Sequence, residues 1–213
     1  MDLINQIKRA LGGSGEAVDQ KGDRYGNAYI AQVLPPYAVL STEGNGWQVM
    51  ATAAVAALIV RPSTTSLGTL WNGEADGGKS YIIDRIFTQQ LVSAAAASRW
   101  GIWACVHPIG MAAVTADITA IKSMAGKSSY GGTARFDVGA TVGDNGWFPY
   151  GEPHDTETVG ILGGSQSCVD VFGQLVIPYT AGISLHAVAA SVGVTLAVGF
   201  SWFEVPITEF NIS

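Results

Sequence analysis

The most constraining stretch of the chain is Val192 to Trp202. Val192, Val194, Leu196, Val198, Phe200 and Trp202 take every even position, and Gly193, Thr195, Ala197, Gly199 and Ser201 take the odd ones. A strict period of two, with β-branched and aromatic side chains on one face, specifies a half-buried strand. The odd face is small and uncharged, which predicts that a second layer, from this chain or another copy, can approach it closely.

The rest of the chain repeats this grammar. Strands are predicted over 28–33, 37–42, 47–51, 55–60, 67–71, 81–92, 99–107, 118–124, 134–142, 168–178 and 183–189, with turns every eight to twelve residues. The Asn45-Gly46 pair within Glu43 to Gly46 reads as a hairpin turn. The stretch 108–116 reads as a crossing loop, and 143–164 as the longest loop. About ten strands with almost no helix predict an all-β chain, a sandwich or closed barrel, and 213 residues suffice for one such core.

Residues 1–27 differ in kind. Leu3, Ile4, Ile7 and Leu11 fall at helical spacing between Asp2 and Gly12, the start and stop signals of a short helix. A Gly-rich polar stretch from Gly12 to Asn27 follows, with the composition of a tether. The expected division is therefore an N-terminal helix and flexible arm over 1–27 and a β-sandwich over 28–213. Leu3, Ile4, Ile7 and Leu11 are the expected docking residues of the arm.

Only 13% of residues are charged, against roughly 25% for an average domain, while 48% are hydrophobic. So little charge favours a subunit of an assembly. The net charge is −6 and basic residues never cluster beyond Lys8-Arg9, which argues against nucleic acid as a partner. The longest apolar run, Ala53 to Val60, is far short of the roughly 20 residues of a spanning helix, so no membrane partner is expected. With no secretory leader pattern either, synthesis is expected in a cytoplasm.

Chemistry is sparse. Glu152, His154, Asp155 and Glu157 form the densest polar cluster, but their spacing matches no metal motif. His107 and His186 sit beside apolar strands as buried histidines do. Cys105 and Cys168 lie among apolar residues and read as buried thiols. No catalytic residue, cofactor or metal is expected, and the chain does not read as an enzyme. Trp147, Phe148 and Tyr150 in the long loop are the candidate outward contacts, since aromatics are enriched at interfaces.

Three stretches carry a resemblance. Leu70-Trp71-Asn72, Gly77-Gly78-Lys79 and Tyr81-Ile82-Ile83-Asp84-Arg85-Ile86 are similar to a run in the jelly-roll structural proteins of tailed phages. Leu175-Val176-Ile177-Pro178 with Ile183-Ser184-Leu185-His186 resembles a second segment of that family. Phe200-Ser201-Trp202-Phe203-Glu204-Val205-Pro206 resembles its closing strand. The likeness spans about residues 28 to 207, and Tyr179 departs from it where the family has a second proline. It implies a jelly-roll-like sandwich and a bacteriophage virion protein: a capsid decoration (cement) subunit or minor structural protein. Such a subunit is a homotrimer that sits on the capsid surface and contacts the major capsid protein. The rivals are a carbohydrate- or receptor-binding sandwich using Trp147 and Tyr150, and a major coat protein. The coat reading suffers from the missing basic arm.

Overall fold

The computed structural model describes residues 7–8, 17–18, 38–92, 99–115, 120–126, 129–155 and 165–206. The chain divides into two compact units, Met1–Ala38 and Val39–Ser213. In the first, β1 (Ile7–Lys8) pairs antiparallel with β2 (Ala17–Val18). Ile7 therefore stands in a two-residue ribbon, not in the helix expected over 2–11; Leu3, Ile4 and Leu11 lie outside the described residues. So does the strand expected at 28–33.

The helix α1 (Ala38–Glu43) begins at the division between the units, where a strand over 37–42 was expected. The chain ends this helix with Gly44 in the left-handed region (φ 86°). The Gly44 N–H donates to Ser41 O, and Asn45 N–H to Leu40 O. That pair of bonds is the Schellman stop of a helix. Glu43 to Gly46 is thus a helix terminus rather than a hairpin turn.

The strands that follow are β3 (Gly46–Met50), β4 (Val55–Ala56), β5 (Gly68–Trp71), β6 (Lys79–Val92), β7 (Arg99–His107), β8 (Lys122–Ser123) and β9 (Arg135–Asp137). They continue as β10 (Phe148–Pro149), β11 (His154–Asp155), β12 (Gln166–Asp170), β13 (Val176–Ile177), β14 (Gly182–Ala189) and β15 (Thr195–Pro206). Two antiparallel sheets result. One runs β12-β6-β15-β3-β8, with β13 on β6 and β4 on β15; the other runs β10-β7-β14-β5-β9, with β11 on β7.

The ladders are nested: β3 pairs with β15, β5 with β14, β6 with β12 and β7 with β10. The chain behaves as one long antiparallel ribbon whose successive segments alternate between sheets. Rolling that ribbon up makes the β6–β15 and β7–β14 contacts. This strand order is that of a jelly roll.

The core lies between the sheets. Val194, just before β15, and the strand's even face, Leu196, Val198, Phe200 and Trp202, fill it, each fully buried, and the facing sheet supplies Leu70, Trp100, Ile102, Phe136, Ile183 and Leu185. The odd face is buried too: Ala197 and Ser201 are inaccessible, and any Cβ at Gly199 would meet Met50. The close approach there comes from the neighbouring strand β3, whose Val49 O and Met50 Sδ stand nearest to Gly199.

The connection from β7 to β10 departs from a plain hairpin. It crosses to the far side of the sandwich, adds β8 beside β3 and β9 beside β5, and returns. Because β9 and β10 occupy opposite edges of one sheet, the segment 138–147 must cross its outer face. It forms a strap, with Ala140, Val142 and Trp147 buried against Cys105 of β7.

Candidate functional site

The loops joining strands at one end of the sandwich carry an apolar surface. Thr195 pairs with both Ala56 and Val92, and Leu58 bridges to Val188, so β4, the end of β6, and the β14–β15 turn converge there. Ile59, Val60, Leu91, Val92 and Val192 project from them with 46–63% of their surface exposed. The contributing stretches 51–60, 86–92 and 187–203 hold no charged residue at all. Large aliphatic side chains left exposed together at one end of a folded protein mark a contact surface.

A second concavity lies on the outer face of the sheet built around β15. It is a cleft of about 650 Å³ lined by Gln48, Met50, Thr52, Phe87, Ala120 and Lys122.

Two buried polar networks brace this frame. At the end of β15, the Glu204 carboxylate is buried. It accepts from Tyr130 Oη at 2.7 Å and from Lys79 Nζ at 3.3 Å. Tyr130 Oη in turn accepts from Ala134 N–H at 2.9 Å. Burial pushes both the Tyr130 and Tyr81 phenols well above their ordinary range, so they stay protonated as donors. Pairing matters here, since a buried carboxylate without donors is strongly destabilising.

The other network lies beneath the strap. His107 Nε2 is 2.7 Å from Ser184 Oγ, Ser184 is 2.8 Å from Thr69 Oγ1, and Thr69 is 2.8 Å from Ser66 Oγ. His107 Nδ1 meets Asn145 Oδ1 of the strap at 2.8 Å. Burial lowers the His107 pKa, so the ring is neutral. Ser184, His107 and Asn145 share the connectivity of a hydrolytic triad. Yet Ser184 is wholly buried in mid-strand, where no substrate carbonyl can reach its Oγ. The arrangement satisfies polar groups that the strap covers.

The residues singled out in the sequence scatter. Trp147 is 4% exposed and donates from Nε1 to Ser63 O at 2.9 Å, so it faces inward rather than outward. Phe148 and Tyr150 are half-buried against the core, edge to face with each other. His154 stacks on Trp100, Asp155 pairs with Arg99, and Glu152 is exposed. Glu157 lies outside the described residues, and among the described residues no group of three ligands could hold a metal. Cys105 is buried, but Cys168 is exposed on the edge strand β12, and both thiols are free. Sequence reasoning missed the apolar end because its residues sit in three separate stretches. The one available signal was the absence of charge from all three.

No family model, curated protein or solved structure matches this chain.

Proposed function

We propose that the protein is a structural subunit of a tailed-phage virion, a capsid decoration protein that assembles as a homotrimer and binds major capsid protein subunits on the shell's surface. The exposed aliphatic side chains at this end carry this reading. Five large aliphatic side chains are held out to solvent on a rigid jelly roll, a costly arrangement for a free monomer and a useful one for a subunit that buries them against a copy of itself. The low charge content of the whole chain and the resemblance of its strands to phage jelly rolls support the same conclusion. Many weak contacts per trimer then add through multivalency on the shell. The rival glycan-binding reading loses its main platform, since the Trp147 ring is buried.

Light scattering on the full chain tests the reading. Wild type is expected at three times 22.2 kDa, and the double variant Val60→Asp, Val192→Asp at the monomer mass. A wild-type monomer at micromolar concentration refutes self-association. A trimer that fails to co-sediment with assembled shells refutes decoration while leaving assembly intact.

A further inference from the structure

The chain has three histidines, and two of them lie beneath the strap. His107 of β7 is bonded to the strap's Asn145. His186 of β14 meets the strap's Trp147 edge to face, with ring centroids 6.4 Å apart. Its Nδ1 lies 3.0 Å from Ala187 O. Both rings are almost inaccessible, each 2% exposed. The roof over them is apolar, made of Ala140, Val142 and Trp147.

The strap is held elsewhere by bonds that mild acid leaves alone. Arg61 grips Asp144 through both guanidinium nitrogens at 2.7 and 2.9 Å. Trp147 Nε1 donates to Ser63 O, Val142 N–H to Thr64 O, and Ser66 N–H to Ala140 O. The groups facing the histidines are the neutral Cys105 thiol on β7, 4.0 Å from His107 Nδ1, and the Thr69 and Ser184 hydroxyls. Asp137 of β9 lies opposite Thr69, and Asp144 on the strap is already matched by Arg61.

With Asn145 Oδ1 accepting, the proton of neutral His107 sits on Nδ1, and Nε2 accepts from Ser184. A second proton on Nε2 reverses the hydroxyl chain: Ser184 donates to Thr69, Thr69 to Ser66, and Ser66 to Ala140 O at 3.2 Å. Hydrogen bonding therefore survives protonation. Solvation of the new charge does not, because among the described residues no carboxylate is bonded to either ring. A lifted strap lets water reach both imidazoles.

We propose that the strap 138–147 is an acid-triggered flap: protonation of His107 and His186 favours the open position, which uncovers Cys105 and the apolar underside of Val142 and Trp147. The sign follows from linkage. A histidine whose pKa is lower under the closed strap than in the open one binds its proton preferentially on opening. Closure is then complete above the ordinary histidine value and weakens as pH falls below it. Each such histidine raises the open fraction about tenfold per pH unit until its closed-state pKa is passed.

Cys105 supplies the readout and exposed Cys168 the internal reference. The native chain is labelled with 4,4′-dithiodipyridine, which reacts with thiols in mild acid, and the two sites are resolved by peptide mass. The expected result is that the Cys105-to-Cys168 rate ratio rises at least tenfold between about pH 6.5 and 5.5 while the far-ultraviolet strand signal stays constant. In His107→Gln, His186→Gln the ratio becomes flat with pH. Asn145→Ala, which loosens the strap from its own side, raises the ratio at neutral pH. A ratio constant down to about pH 5, a rise only alongside loss of the strand signal, or an unchanged profile in the histidine variant overturns the proposal. If the double variant does not fold, the two single variants must each reduce the slope, and equal slopes overturn it as well.

Discussion

Gly199 and Gly101 form a matched pair that separates packing from backbone entropy. Both lie inside long strands, β15 and β7, and neither has a positive φ. A Cβ at Gly199 would stand 2.3 Å from Val49 O, a backbone atom, and 2.9 Å from Met50 Sδ. A Cβ at Gly101 would have nothing within 4 Å. Alanine removes the same unfolded-state freedom at either site, which by itself favours the variant by about 0.5–1 kcal/mol. At Gly101 that gain is the whole effect. At Gly199 the central strand must separate from β3, a change in the class of overpacking substitutions that cost about 1–3 kcal/mol. The two variants should therefore differ by about 1.5–4 kcal/mol, with Gly101→Ala above wild type and Gly199→Ala below. For a chain of this size that is roughly 3–16 °C in Tm. Calorimetry at one fixed protein concentration reads it, since Tm shifts with concentration in any protein that associates. Gly199→Ala melting at or above wild type would refute the claim that the small residues of β15 are required by this chain's own packing.

Other consequences are equally direct. Tyr130→Phe takes a charge-assisted donor from buried Glu204 and strands the Ala134 N–H, so urea denaturation should show a loss of about 1.5–3 kcal/mol; a loss below about 0.5 kcal/mol would remove the network from the account of stability. Leu70→Ala removes a fully buried side chain of the facing sheet, opens a cavity and should cost about 2–5 kcal/mol with an unchanged denaturant slope. Asp144, hydrogen-bonded to Arg61, titrates at about 2. Its contribution is present above the ordinary carboxylate value of 3.8 and is lost as pH falls through about 2. By carbon-13 NMR, Arg61→Ala should return that carboxyl to the ordinary range, and a carboxyl that stays near 2 would mean that the backbone N–H donors alone hold it down.

What the sequence made legible was what period two encodes. The bounds of β7 at Arg99 and His107 and the buried even face of β15 follow from alternation, because a strand's two faces are distinguished residue by residue. Alternation fails where a strand lacks a partner over its whole length. Ala134 to Val142 alternates cleanly, but only Arg135 to Asp137 finds β5, and left-handed Gly139 turns the rest into the strap. The apolar run Ala53 to Val60 likewise gives a two-residue strand and then spills Ile59 and Val60 into solvent. At α1 a local helix stop at Gly44 overrode the β-branched look of the segment. The histidine pair under the strap was invisible because Asn145, Trp147, His107 and His186 come from three elements that only the crossing connection brings together.

The nested ladders also fix an order of events at the ribosome. The last strand of the sandwich to be synthesised, β15, lies in the middle of its sheet, between β3 and β6. Until Thr195 to Pro206 has emerged, those two strands have no ladder to share, and each presents a bare edge, β6 with Ile82, Ile83, Ile86 and Phe87 and β3 with Trp47, Val49 and Met50. Unpaired edges of this kind recruit other chains. A nascent chain must therefore wait with its sheet split down the centre, and productive folding becomes a race between the arrival of one strand and the capture of its two neighbours by other molecules.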